Sequence, residues 1–360
     1  MTGTTIIDAL VVPASLDVPE AADLLAMIDV MNAVSHDAMG AAADIIAPVE
    51  MLASLQDQQY QRKHLYLARL NGNIVGWAGV IWGVEYDLRV TWVDLGVHPD
   101  FRNQGVGTAL FEHVERLAQE ADRPVIQGMG SYRAAHDGPR LDSPTGFGSL
   151  PKADPGVRFL QNRGYSLEQV YRVSVLNLPI PEATLAEHLT AAQERAGSDY
   201  RVHTWVAPTP ERWLDDMAVI LTRMSTDAPS GNLDIDEEPW DAERIRHHDE
   251  LRKRTGRTAI AAVVEHIPSG KLVAYNGLSL PKDRNRPVHQ GVTLVLKEHR
   301  GHRLGMVTKI ANIQQLQAIS PESPLIVTDN AEENRPMLDV NEAVGFVPAA
   351  YVGAWKKTFA

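Results

Sequence analysis

The segment Arg102-Asn103-Gln104-Gly105-Val106-Gly107 combines the residue types and spacing that most directly suggest chemistry in this chain. It follows an apolar run at 90–97 that reads as a buried strand. It precedes a stretch carrying Leu110, Val114, Leu117 and Ala118 at helical spacing. A helix that starts there presents unpaired backbone N–H groups and a partial positive charge, which suits a phosphate anion. Glycines at 105 and 107 let the backbone approach such an anion and adopt turns that a Cβ forbids. Taken alone, a glycine-rich helix cap with no ligand explains the segment equally well.

The elements around this turn occur twice. The stretch LGVHPDFRNQGVGTALFEHVERLA from Leu95 is matched by TLVLKEHRGHRLGMVTKIANIQQL from Thr293, with Val97, Arg102 and Gly107 set against Val295, Arg300 and Gly305 at a constant offset of 198 residues. The hairpin turn Asn71-Gly72 corresponds to Ser269-Gly270 at the same offset, and Gly164-Tyr165 to Gly345-Phe346 at an offset of 181, so the first copy holds about 17 extra residues. A repeat of this length is a duplicated domain. The expected division is 1–178, a linker at 179–198 bracketed by Pro179, Pro181 and Gly197-Ser198 that forms a connecting helix, and 199–360.

Periodicity predicts, in the first copy, a helix at 19–37, strands at 64–70, 74–83 and 90–97, a helix at 105–121, a strand at 124–129, a helix at 155–162 and a strand at 165–176. The second copy reads as a strand at 201–206, helices near 211–223 and 241–254, strands at 258–266, 271–280 and 290–296, a helix at 304–319, a strand at 325–328, a helix at 332–343 and a strand at 347–356. Each copy is expected to have its own complete core. The Gly- and Pro-containing stretch 130–150 reads as a long loop of the kind that often carries function.

A strand, an Arg-x-x-Gly-x-Gly turn, a helix and a βα pattern ending in a Gly-aromatic pair together resemble the GNAT N-acetyltransferase superfamily, over nearly all of each copy. The dinucleotide fingerprint GxGxxG and the phosphate loop GxxxxGK[ST] are absent. The resemblance implies an α/β fold of two tandem GNAT-like domains, each a mixed twisted sheet flanked by helices. It also implies acetyl-CoA as cosubstrate. By position, Leu95, Gly96 and Val97 would line the pantetheine side of copy one, and Arg102, Asn103, Gln104, Gly105, Val106, Gly107 and Thr108 the pyrophosphate turn. The copy-two counterparts are Thr293, Leu294 and Val295, then Arg300, Gly301, His302, Arg303, Leu304, Gly305 and Met306; Asn330 occupies the place of an asparagine that contacts the cofactor arm. Copy two departs from the motif at Arg303, where a glycine is usual.

Amine acetylation needs a base for the nitrogen and an acid for the departing thiolate. Many GNAT enzymes use a carboxylate at the start of the motif strand; Asp94 stands there in copy one and Val292 in copy two. The usual tyrosine acid is replaced by Leu160 and Asn341, which leaves Tyr132 and Tyr165 as substitutes in copy one. The expected function is acetyl-CoA-dependent N-acetylation of a small, cationic amine; the alternative is a non-catalytic acyl-CoA-binding or regulatory module. The tandem arrangement is also similar to that of mycothiol synthase, although no residue here singles out its substrate.

Composition narrows the classes. The 360 residues include no cysteine, which removes thiol nucleophiles, disulfides and cysteine metal sites. The net charge of −12 disfavours nucleic acid and anionic membrane as partners. The N-terminus lacks a basic leader pattern and the apolar runs are short, so a cytoplasmic protein is expected. The adjacent pair His247-His248 cannot face one ion from a helix, and no metal is expected. The acidic run from Asp234 to Glu243 lies between two helices bordering the expected acceptor groove. Asp236, Glu237 and Glu238 are therefore candidates for attracting the amine.

Overall fold

The computed structural model describes residues 4–133 and 137–359. The first half contains β1 (Thr5–Ala9), α1 (Ala21–Met39), α2 (Pro48–Gln56), β2 (Gln61–Leu70), β3 (Asn73–Gly83), β4 (Val90–Val97), α3 (Val106–Glu120), β5 (Val125–Arg133), a small hairpin of β6 (Arg140–Asp142) and β7 (Ser149–Pro151), α4 (Pro155–Asn162) and β8 (Ser166–Asn177). The second half contains α5 (Glu182–Ala196), β9 (Tyr200–Val206), α6 (Leu214–Asp227), α7 (Ala242–Thr255), β10 (Thr258–His266), β11 (Lys271–Leu280), β12 (Val288–Val295), α8 (Leu304–Ile319), β13 (Leu325–Ala331), α9 (Arg335–Val344) and β14 (Val347–Thr358). None of the described helices is long and apolar enough to cross a membrane.

Local chemistry accounts for most of these elements. Asn71 and Gly72 both have positive φ, 52° and 86°, as the tight turn joining β2 to β3 requires. Helix α3 buries Val106, Leu110, Phe111, Val114 and Ala118 on one face. Helix α8, by contrast, is buried without interruption from Leu304 to Ile313. Its outer side is covered by α5, the expected linker helix, which packs Leu185, Ala192 and Ala196 into the same core. The loop expected at 130–150 is partly ordered: β5 runs on to Arg133, and Leu150 of the small hairpin is fully buried. Residues 134–136 of that stretch lie outside the described residues.

One sheet of twelve strands runs through the molecule in the order β1-β2-β3-β4-β5-β14-β8-β13-β12-β11-β10-β9. The last strands of the two halves have changed places: β14 pairs with β5, and β8 pairs with β13. The expectation of two independently complete cores is corrected here. Trp355 of β14 packs with Leu110, Val114 and Val157 of the first half. Leu176 of β8 packs with Leu304 and Ile310 of the second. Strand periodicity marks both last strands but carries no information about which neighbour each will take.

An ion network further ties the halves. Arg286 reaches Glu50 at 2.8 Å and Asp44 at 3.0 Å, Arg257 reaches Glu50 at 3.1 Å, and His289 reaches Asp44 at 2.9 Å. Burial works against ionisation of Asp44, but His289 and Arg286 outweigh it and hold its carboxyl below the usual carboxylate range.

Candidate active site

Parallel strands β4 and β5 pair from Val90 and Val125 as far as Val93 and Gly128, then part. Gly128 permits the last close approach, since a Cβ there would stand 2.5 Å from the carbonyl oxygen of Val93. Beyond it a cleft of about 940 Å³ opens between the strands and under α1 and the start of α4. Its lining brings together Asp94, Leu95, Gly96, Val97, Arg102, Asn103, Gly105, Gly107 and Thr108, as the sequence suggested.

The turn is built for backbone exposure. Asn103 and Gly105 have φ of 60° and 85°, and no side chain caps the amides at the start of α3. Nothing lies within 4 Å of a Cβ placed on Gly105, whereas one on Gly96 would meet Trp77 Nε1 at 3.0 Å and Val34 at 3.1 Å. Two of the expected turn residues stand apart from the cleft. Gln104 is exposed, and Val106 is 1% exposed and belongs to the core. Arg102 is a brace: Nε donates to the Val97 carbonyl at 3.3 Å and Nη1 to Asp37 at 2.7 Å, and Arg133 donates to the backbone carbonyl of Asp37 at 2.7 Å. The α1 contribution, Asp37 included, was not visible in the sequence motif.

Asp94 faces the cleft on the α1 side. Its side chain opens to the cleft, yet the protein around it desolvates the carboxyl and pushes it up to about 6 despite a backbone hydrogen bond at Leu95. A carboxylate so placed is a competent base near neutral pH. Tyr132 and Tyr165 also line the cleft, and their hydrogen bonds separate them. Tyr165 donates its proton to Glu115 at 3.2 Å. Tyr132 instead accepts from Trp355 Nε1 at 3.1 Å, so its own proton remains available. Burial, chiefly, raises the Tyr132 phenol well above its ordinary range. Trp355 itself lines the cleft from β14, a contribution that no spacing within the first copy could reveal.

The second half surrounds its parted strands differently. Strands β12 and β13 pair at two positions only, Val288 with Ile326 and His289 with Val327. Beyond them, Gln290 Nε2 donates to Thr328 Oγ1 at 3.0 Å, and Lys309 Nζ donates to Gln290 Oε1 at 2.7 Å. Lys309 takes the place of Phe111 at the 198-residue offset, and burial pushes its ammonium down to about 7. Arg300 repeats the brace of Arg102, with Val295 O at 3.1 Å and Asp227 at 3.1 Å.

Thr293 accepts from Asn276 at 2.8 Å, Leu294 is in the core, and Leu304, Gly305 and Met306 are buried in α8. Asn330 is engaged by Asn341 at 2.7 Å. Gly301, His302 and Arg303 form an exposed turn with φ of 88° at Gly301 and 54° at Arg303. None of these residues, Val295 included, lines the nearby cavity of about 140 Å³, which is walled by Val292, Tyr275, Trp240, His248 and Arg252.

The acidic run is an arm laid against the first half, and of its residues only Trp240 lines either cavity. Asp236 and Asp87 exchange reciprocal backbone-to-carboxylate bonds of 2.9 and 2.8 Å, and Gln127 pairs with the Asp234 backbone at 3.0 and 2.6 Å. Glu238 is bound to Arg244, and Glu237 is exposed to solvent. Asp236, Glu237 and Glu238, the expected amine-attracting residues, line neither cavity. Charge density is legible in a sequence, but the partner that consumes each charge is not.

Residues 36–126, which span Asp94 and the turn, match the model of the acetyltransferase (GNAT) family. No curated protein matches the chain. Among solved structures, the chain is similar to a tandem GNAT protein from the clavulanic acid biosynthesis pathway, at 22% identity over 99% of this chain and 98% of that one, with a TM-score of 0.74. It is similar to a GCN5-related N-acetyltransferase from Sphaerobacter thermophilus at 15% identity, 98% and 95% coverage and a TM-score of 0.60. A glucosamine N-acetyltransferase region of a fungal multi-domain GH3 beta-N-acetylglucosaminidase aligns at 15% identity, over 99% of this chain and 38% of that one, with a TM-score of 0.60. At these identities the likeness is one of fold.

Proposed function

We infer that this chain, a tandem GNAT-fold protein whose first half carries an acetyltransferase domain, acetylates a small amine from acetyl-CoA in its N-terminal cleft. The observation that carries the reading is the convergence of an uncapped amide turn, a free strand edge and a carboxylate poised near 6 on one cleft. Bound acetyl-CoA supplies an activated acetyl group with a thiolate as its leaving group. The residues fit it: the amides from Asn103 to Thr108 suit the pyrophosphate, and the open edge of Leu95, Gly96 and Val97 suits the pantetheine. A side chain at 96 would collide with Trp77 and Val34, and one at 105 would strain backbone held at φ of 85°.

Asp94 removes the proton that an ammonium must lose before its nitrogen can attack, and Tyr132 holds a proton for the leaving sulfur. The favoured acceptor is a small, protonatable amine, because the base is a carboxylate that also attracts the cation. The second half acts as a non-catalytic partner, a reading supported by Val292 in place of Asp94 and by the buried Lys309–Gln290–Thr328 chain between its strands. The test is CoA release over a panel of small amines, with calorimetry of acetyl-CoA beside it. Binding of one equivalent and turnover abolished by Asp94→Asn are expected. Absence of binding at millimolar acetyl-CoA overturns the assignment.

A further inference from the structure

We propose that Trp355, carried by the last strand of the second half, is a positioning residue that makes Tyr132 the proton donor to the sulfur leaving in the N-terminal cleft. The proposal rests on the acetyl-transfer reading and adds a dependence of one half's chemistry on the other half's chain.

The geometry is specific. In the β5–β14 pair, Gly130 lies opposite Gly353, Gly128 opposite Trp355, and Tyr132 opposite Tyr351. The Tyr132 ring folds back along its strand over Gly130, where a Cβ would stand 2.7 Å from the phenol oxygen. The indole folds along the other strand over Gly353, where a Cβ would stand 2.9 Å from Nε1. Two facing glycines thus clear a floor on which the rings meet, Nε1 to Oη, at 3.1 Å. Tyr132 is 4% exposed and Trp355 1%, so water does not substitute for this contact.

The chemistry follows from donor and acceptor rules. An indole N–H only donates, so Tyr132 Oη must accept from it, and the phenol proton is left unused. No described residue takes that proton. Asp154, the charged group facing Tyr132 from the start of α4, accepts from the amide of Gly156 at 2.7 Å instead. In the step, Tyr132 gives its proton to the sulfur as the C–S bond breaks with its electron pair on sulfur and the C–N bond forms. The phenolate left behind keeps the Trp355 N–H bond, now to a charged acceptor, and water returns the proton afterwards. A hydrogen bond to a charged group in a dry site stabilises more than one to a neutral group, so the contact favours the transferred state.

The experiment replaces Trp355 by 3-benzothienylalanine, which keeps the bicyclic shape without the N–H, alongside Trp355→Phe. Calorimetry with CoA should change less than about twofold, because the phosphate turn is untouched. With acetyl-CoA, kcat should fall about tenfold to a hundredfold at a nearly constant KM. With an acetyl ester of a weakly basic aryl thiol, which leaves without a proton, most of that loss should disappear. Fluorotyrosine at 132, titrated by absorbance, should ionise at higher pH in both variants than with tryptophan present. Equal losses with both thioesters, or an unchanged fluorotyrosine titration, overturn the proposal. If the wild type transfers no acetyl group yet the titration shifts, the acetyl-transfer reading fails while the positioning contact stands.

Discussion

The two halves share a strand–turn–helix plan and differ in what lies between the parted strands. In the first half, the strands separate after Gly128, and Asp94 and Tyr132 face a cleft of about 940 Å³. In the second, Val292 stands at the position of Asp94, a buried chain from Lys309 through Gln290 to Thr328 spans the strands, and the adjoining cavity measures about 140 Å³. Helix α3 keeps an exposed face, whereas α8 lies under α5. A duplicated fold thus presents different surroundings at matched positions, and the second copy adds Trp355 of β14 to the lining of the first copy's cleft.

The largest effect expected from breaking this contrast is at the base. Asp94→Asn should lower kcat/KM by about 10² to 10⁴, and Val292→Asp should add no activity, both read by CoA release. An active second half would leave the Asp94 variant with substantial turnover.

Next comes the phosphate turn. Gly105→Glu puts a side chain on backbone at φ of 85° and a negative charge where phosphates would lie. Acetyl-CoA affinity should fall about a hundredfold by calorimetry. Gly301→Glu in the second half should leave it unchanged.

The inter-half ion network gives the third test. Arg286→Ala removes one cation from Asp44 and Glu50 while Arg257 and His289 remain, and should cost about 1 to 2 kcal/mol in denaturant unfolding. Because Ile46, two residues from Asp44, lines the cleft, KM for the amine should rise while acetyl-CoA affinity stays.

A gentler probe is pH. The Asp94 carboxyl is raised to about 6, so its basic form is present above that value and lost below it, and kcat/KM should climb through pH 6. The stability sign is opposite: folding favours the protonated form, so the ionised carboxylate destabilises as pH rises from about 4 to 6. Asp94→Asn should therefore melt no lower than wild type at pH 7, with the advantage fading toward pH 4. Smallest of all, the exposed Glu237→Gln should change neither KM nor its salt dependence. A rise in KM there would restore the acidic arm as an amine-attracting surface.

Much of the cleft lining was legible because its signals are local. The glycine turn at 105–107 was read from its own residues, Asp94 from the resemblance at the motif strand, and the helical run after them marked α3 to within a residue at each end. The strands 90–97, 258–266 and 271–280 needed only periodicity and bounding turns. β1, α2 and the β6–β7 hairpin were missed, since short segments carry few periods. Tyr132 was one of two open substitutes for the missing acid. Only its partner, Trp355, separates it from Tyr165, whose proton goes to Glu115.

What the sequence by itself determined is therefore the inventory: two copies of one plan, a turn able to face an anion, one copy with a carboxylate and one without. The tertiary structure decided the pairings. Nothing in the residues of β14 states that it will lie beside β5 rather than β13. Register and neighbour choice depend on long-range hydrogen bonding and on which core each strand's side chains fill. That single exchange carries Trp355 223 residues back along the chain to Tyr132. It is also why the cleft of the first half takes Trp355 of its lining from the second half.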